Sequence, residues 1–206
     1  MRFIIPIGIL GAILFFVFGQ NKMSEGDLKV TNLDLQKVLD ITVPVIVRNA
    51  KESSLLTPKT DEEKEKFSSL YFMKTAMDLA KVYNSSNPKI YEDNIGVFPA
   101  NTGALVAYED INKNRVQDES EKNVFYIEVD GENSRIIATS RIGASDNAGF
   151  PAGALLGGYF LGRMLTMQSN FPNTKSRVNN SQKTSPKQAM SNARARAGSG
   201  SHRAGK

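Results

Sequence analysis

No cysteine occurs among the 206 residues. Disulfide frameworks, thiolate metal sites and cysteine nucleophiles are therefore excluded. Histidine is nearly as scarce: the single one, His202, lies in a Gly/Ser/Arg-rich stretch at the end of the chain. A histidine-based catalytic triad or zinc site has nothing to be built from. The chain also lacks a G-x-S-x-G elbow, a P-loop, an H-E-x-x-H helix and a dinucleotide fingerprint. Asp118, Glu119 and Glu121 would be the raw material for an acid/base pair. Carboxylates at metal-ligand spacing are better read as ligands or solvated charge, and the expectation is that the protein is not an enzyme.

Acidic residues are missing from one region altogether. Ser169 to Lys206 carries eight Lys/Arg and no Asp or Glu, while the rest of the chain carries 18 Lys/Arg and all 21 acids. The net charge of +5 thus belongs to the tail. Because the body offers no basic stripe, nucleic acid is not an expected partner. With almost no large apolar residue after Val178, residues 169–206 read as a disordered basic tail. Such a tail would contact anionic lipid or polymer.

The chain has two apolar segments instead. Phe3 to Gly19 (FIIPIGILGAILFFVFG) stands behind Met1 and Arg2 and is uncharged. Residues 1–19 read as a membrane anchor or a signal peptide, and either one exports the region C-terminal to it. Phe150 to Met167 (FPAGALLGGYFLGRMLTM) is glycine-rich, with Gly149, Gly153 and Gly157 at four-residue spacing. On a helix these glycines share one face, where another helix can approach closely in a membrane. Residues 149–168 are therefore read as a glycine-zipper membrane-associated segment, helix or hairpin, with a flexible linker as the alternative. Arg2 and the basic tail flank the two segments, so the acidic middle, residues 20–148, is expected outside the cytoplasm.

That middle reads as a small α+β domain: an antiparallel β-meander packed with one long helix. Thr60 and Glu63 are placed for a capping box, and Phe67, Leu70, Tyr71, Met77 and Ala80 recur at helical spacing up to about Tyr83. Met73 and Met77 are expected in the core. Asn32 is the expected cap of a short helix over 33–39, and Ile41 to Val47 reads as a strand interrupted by Pro44. Three further strands are expected over 104–109, 124–130 and 135–140. In the second, Phe125, Ile127 and Val129 face one way and Tyr126, Glu128 and Asp130 the other.

The first two of these three strands flank the most informative stretch, Asp110 to Glu121 (DINKNRVQDESE). Oxygen side chains stand at loop positions 1, 3, 5, 9 and 12, the spacing of a calcium loop. It resembles the Asp-x-Asn-x-Asn-x-x-x-Asp-x-x-Glu loops of extracellular β-domains, including the B-type repeats of bacterial surface adhesins. That resemblance implies Asp110, Asn112, Asn114, Asp118 and Glu121 as side-chain ligands of Ca2+, with Val116 giving its carbonyl. Arg115 occupies position 6, where the sharp turn normally takes glycine. The alternative is an Asx-rich hairpin connection holding itself together by hydrogen bonds. Residues 150–206, with Gly-Tyr-Phe-Leu-Gly-Arg-Met-Leu and a terminal Gly-Ser-His-Arg-Ala-Gly-Lys, resemble Gram-negative envelope proteins of the YgiB type. This implies an envelope location and no activity.

Two functions are expected on these grounds. One is a membrane-anchored bacterial envelope protein with a structural calcium loop, serving structure or interaction. The other is an oligomerising or membrane-active protein driven by Gly149, Gly153 and Gly157 and regulated by its folded domain.

Overall fold

A computed structural model describes residues 29–151 and 159–198. The readings on residues 1–19, on Gly153 and Gly157, and on residues 199–206 lie outside the described residues.

Leu35, Val38, Leu39, Thr42, Val45, Ile46, Asn49, Ala50 and Ser53 are buried at three- and four-residue spacing, and together they make one helix, α1 (Leu35–Ser54). The expected strand over 41–47 is thus corrected to helix. Its β-branched residues bury one helical stripe, while Pro44 sits on the solvent side. There the missing N–H leaves its unpaired acceptor facing water. Asp34, not Asn32, is the cap, with its Oδ1 accepting from Lys37 N at 3.1 Å.

Helix α2 (Asp61–Ser85) starts where expected: Glu63 N donates to Thr60 Oγ1 at 3.1 Å. Its inward face differs from the expected one. Ser68, Phe72, Thr75, Ala76, Leu79 and Tyr83 are buried, whereas Leu70, Met73 and Met77 are exposed. Ser68 and Thr75 tolerate burial because their hydroxyls donate to the carbonyls of Lys64 and Tyr71 at 2.7 Å. A polar lock joins α1 to α2: Asn49 Nδ2 donates to Asp78 Oδ2 at 3.0 Å, and Lys74 Nζ to Asn49 Oδ1 at 2.8 Å.

The sheet is a five-stranded antiparallel meander in the order β1 (Ile95–Pro99), β2 (Leu105–Glu109), β3 (Asn123–Asp130), β4 (Arg135–Ser140), β5 (Ser145–Gly149). The three expected strands are present. β1, which ends in proline, and β5, the apolar-poor SDNAG, are additional to them and carry little alternation in sequence. Register places Leu105, Ala107, Phe125, Ile127, Val129, Ile136 and Ala138 on the face that meets the helices. There Phe125 meets the Tyr83 ring edge-on at 5.4 Å.

Of the segment read as a glycine zipper, residues 149–151 and 159–168 are described. Gly149 ends β5, paired with Arg135. The buried apolar residues around it, Phe150, Phe160, Leu161 and Met164, all join the domain's own core, the last three from helix α3 (Tyr159–Ser169). Of the three glycines of the expected oligomerising face, only Gly149 is described, and it stands in a strand. Among the described residues, no helix is long and apolar enough to cross a membrane. The tail is corrected too. It forms α4 (Pro172–Asn179) and α5 (Pro186–Gly198), rather than remaining disordered throughout.

Candidate functional site

Strand β2 delivers Asp110 to the start of the loop, and β3 begins just after Glu121. Both carboxylates are buried, whereas Asn112, Asn114 and Val116 are exposed and Asp118 is half-buried. The backbone turns sharply at two residues that are not glycine. Arg115 takes φ 63° and Lys113 φ 60°, both in the left-handed region. Asp110 Oδ1 accepts from Arg115 N at 3.3 Å, which draws the bend back over the loop start. Two Asx turns come next: Asn114 N donates to Asn112 Oδ1 at 3.0 Å and Val116 N to Asn114 Oδ1 at 2.7 Å.

The far end is closed by Glu121. Its Oε1 accepts from Ile111 N at 2.8 Å and its Oε2 from Asp118 N at 3.1 Å. Asp118 Oδ2 in turn accepts from Asn112 Nδ2 at 2.6 Å and Asn114 Nδ2 at 3.3 Å. All five side-chain positions are therefore tied into one hydrogen-bonded turn. The carboxylates are not gathered around a point, and no trio of Asp, Glu or His side chains at metal-holding geometry occurs among the described residues. To take a cation, Asp118 would exchange two amide donors for the metal. Turning the two amide oxygens inward would also break the Asx turns to Asn114 N and Val116 N.

Several residues of this site carry no motif. Gln117 Nε2 bridges Glu121 O at 3.0 Å and Asn123 Oδ1 at 2.8 Å, sealing the loop to β3. Tyr108 is buried beneath, its ring lying where a Cβ at Gly96 would be. Burial and the nearby charges of Asp110, Glu121 and Asp118 push its phenol up to about 12. At the loop entry Tyr91 Oη donates to Glu109 Oε1 at 2.6 Å, and burial together with that carboxylate raises the tyrosine further. Only the glycine opposite Tyr108 in strand register hints at these contacts, and it does so only once the register is known.

A second polar region lies on the other sheet face, where the tail docks. Arg177 donates to buried Glu128 through both terminal nitrogens, at 2.5 and 2.8 Å. Arg135 reaches Asp130 at 2.8 Å and donates to the carbonyls of Val178, Asn179 and Ser181, satisfying the end of α4. Burial raises Glu128 above the ordinary carboxylate range, and Arg177 offsets this only in part. Burial acts the same way on Asp130, but hydrogen bonds from Asn133 and Arg135 outweigh it and hold that carboxyl low. Ser145 and Thr184 exchange backbone hydrogen bonds at 2.9 and 2.8 Å, so the tail pairs with the β5 edge. Lys183 reaches Asp146 at 2.7 Å and Lys175 reaches Glu132 at 3.4 Å.

Comparison with protein-family models, curated proteins and solved structures returned no match.

Proposed function

We propose that this chain is a membrane-anchored bacterial envelope protein with a structural or interaction role, whose loop takes calcium as a staple between β2 and β3. Residues 1–19 supply the anchor or export signal, and the α+β domain lies outside the cytoplasm. The tail goes with the domain, because α3, α4 and the Thr184 bridge tie it to the sheet. This favours the arrangement with a single membrane segment at the N-terminus.

The observation that carries the calcium reading is the bend at Arg115. A bulky residue holds the left-handed conformation that position 6 needs, with the Asp110 carboxylate already receiving its N–H. Three of the five side-chain ligands are carboxylates, so occupancy belongs to the calcium levels found outside cells, on the order of 10⁻⁴–10⁻³ M. The ion acts by holding Asp118 and Glu121 to Asp110, which joins the two strand ends. No residue is assigned to catalysis.

The test is a thermal melt of the full chain in nonionic detergent with and without calcium. Saturating calcium at about 100 times its Kd raises stability by roughly 2.7 kcal/mol, and Asp118→Ala abolishes the increase. Asp118 is chosen because it is half-buried and its loss leaves the Asp110 bend in place. An unchanged melt at that saturating concentration would leave the self-bonded turn as the whole function of the loop.

A further inference from the structure

The outward face of α2 carries an apolar stripe that has no partner among the described residues. Leu70, Met73 and Met77 are 58%, 50% and 56% exposed, far more than scattered surface residues of a core-facing helix need be. They continue into charged residues at both ends: Glu62, Lys66, Leu70, Met73, Met77 and Lys81 succeed one another at helical spacing on one stripe. On one flank α1 packs through Asn49 and Arg48 to Asp78. On the other, α3 packs with Arg163 bonded to Glu65. The stripe lies between them, and no described residue covers it.

The spacing of these six positions reads the same from either end, with its centre between Leu70 and Met73. Two copies of α2 laid antiparallel about that centre bring Leu70 of one against Met73 of the other. The apolar stem of Lys66 then covers Met77 of the second copy, while its ammonium stays in water. Glu62 stands opposite Lys81 of the second copy, and symmetry makes this charge pair occur twice. Methionine suits such a seam, since its flexible thioether fills an irregular gap between helices.

We propose that α2 is a self-association surface that joins two copies of this chain antiparallel through Leu70, Met73 and Met77, with Glu62 and Lys81 setting the register. The occupant is a second copy because the helix is complementary to itself in shape and in charge. This surface is unrelated to the glycine repeat and independent of the calcium loop.

The full chain in nonionic detergent is followed by analytical ultracentrifugation over a range of concentrations. A monomer–dimer equilibrium is expected, with Met73→Glu reducing the dimer to monomer while the melting temperature stays within a degree or two. Glu62→Lys and Lys81→Glu each weaken dimerisation, by up to about tenfold for two symmetry-related surface pairs, and the double exchange restores it. Because the chain has no cysteine, a mixture of Leu70→Cys and Met73→Cys proteins reports the seam directly by forming the mixed disulfide. A chain that is monomeric at every concentration overturns the proposal, and so does a dimer indifferent to Met73→Glu. Failure of the double exchange to restore association also overturns it. Binding of a monomeric chain to anionic vesicles that is lost in Met73→Glu would instead make a lipid surface the occupant, and equally refute self-association.

Discussion

Replacing Arg177 with Met withdraws the cation from a carboxylate that is almost wholly inside the protein. Glu128 is 1% exposed, and Arg177 holds it through two hydrogen bonds. Removing one partner of a buried ion pair costs on the order of 3–5 kcal/mol. Here the arginine is half-exposed, so water replaces part of what is lost. About 2–3 kcal/mol at pH 7 is the expected cost, or roughly 5–10 °C for a domain of this size. The pH dependence separates this cause from lost packing. Glu128 already titrates above its ordinary value in the folded state, and loss of Arg177 raises it further. A raised carboxyl contributes stability that is fully present below the unfolded pKa, near 4.3, and is lost as pH rises through the folded value. The variant's deficit should therefore be large at pH 7 and shrink towards pH 4, where Glu128 is protonated in both proteins. Urea unfolding of the two proteins, monitored by circular dichroism at both pH values, measures it. Adding Glu128→Gln to Arg177→Met should recover most of the loss at pH 7. A deficit equal at pH 4 and pH 7, or one below about 0.5 kcal/mol at pH 7, would refute the electrostatic account.

Two further outcomes are set by backbone geometry. Arg115→Gly relieves a left-handed residue whose strain is about 1–2 kcal/mol, offset in part by the entropy of glycine, so a gain of roughly 0.5–1 kcal/mol is expected in the thermal melt without calcium; a loss would mean the exposed arginine has a structural role. Gly103→Ala should cost about 3 kcal/mol, because φ +80° strains an L-residue and the added Cβ meets the Met164 carbonyl and Gln168 of α3. A neutral result for Gly103→Ala would show that α3 shifts freely against the β1–β2 turn.

The sequence is legible wherever local chemistry decides. Thr60 and Glu63 announce the start of α2, and the alternation of Phe125, Ile127 and Val129 announces β3 and its core face. The loop from Asp110 to Glu121 can be read as a turn-forming unit, because its Asx residues bond to neighbours two to six positions away. Misreadings arise where distant partners decide. Ile41 to Val47 has strand composition, yet its place in the longer stripe from Leu35 to Ser53 makes it helix. The inward face of α2 is set by α1 and α3, which bury Ser68 and Thr75 and leave Met73 and Met77 outside. In the tail, Arg177 and Lys183 owe their order to acids on β3 and β5, and nothing between residues 169 and 198 records where those acids lie.

The strap from Arg177 to Thr184 has a kinetic consequence. Its contacts reach across 35 to 50 residues, and they need β3, β4 and β5 already in place to supply Glu128, the Arg135 guanidinium and the Ser145 backbone. Val178 is its only buried apolar side chain. Such a segment docks after the meander has formed and undocks before it melts, giving the protein an opening below its global unfolding free energy. In hydrogen exchange, Ser145 N–H and Thr184 N–H should therefore lose protection together while Ile127 and Val129 remain closed. Each such opening briefly uncovers Glu128 and the edge of β5 to whatever shares the compartment.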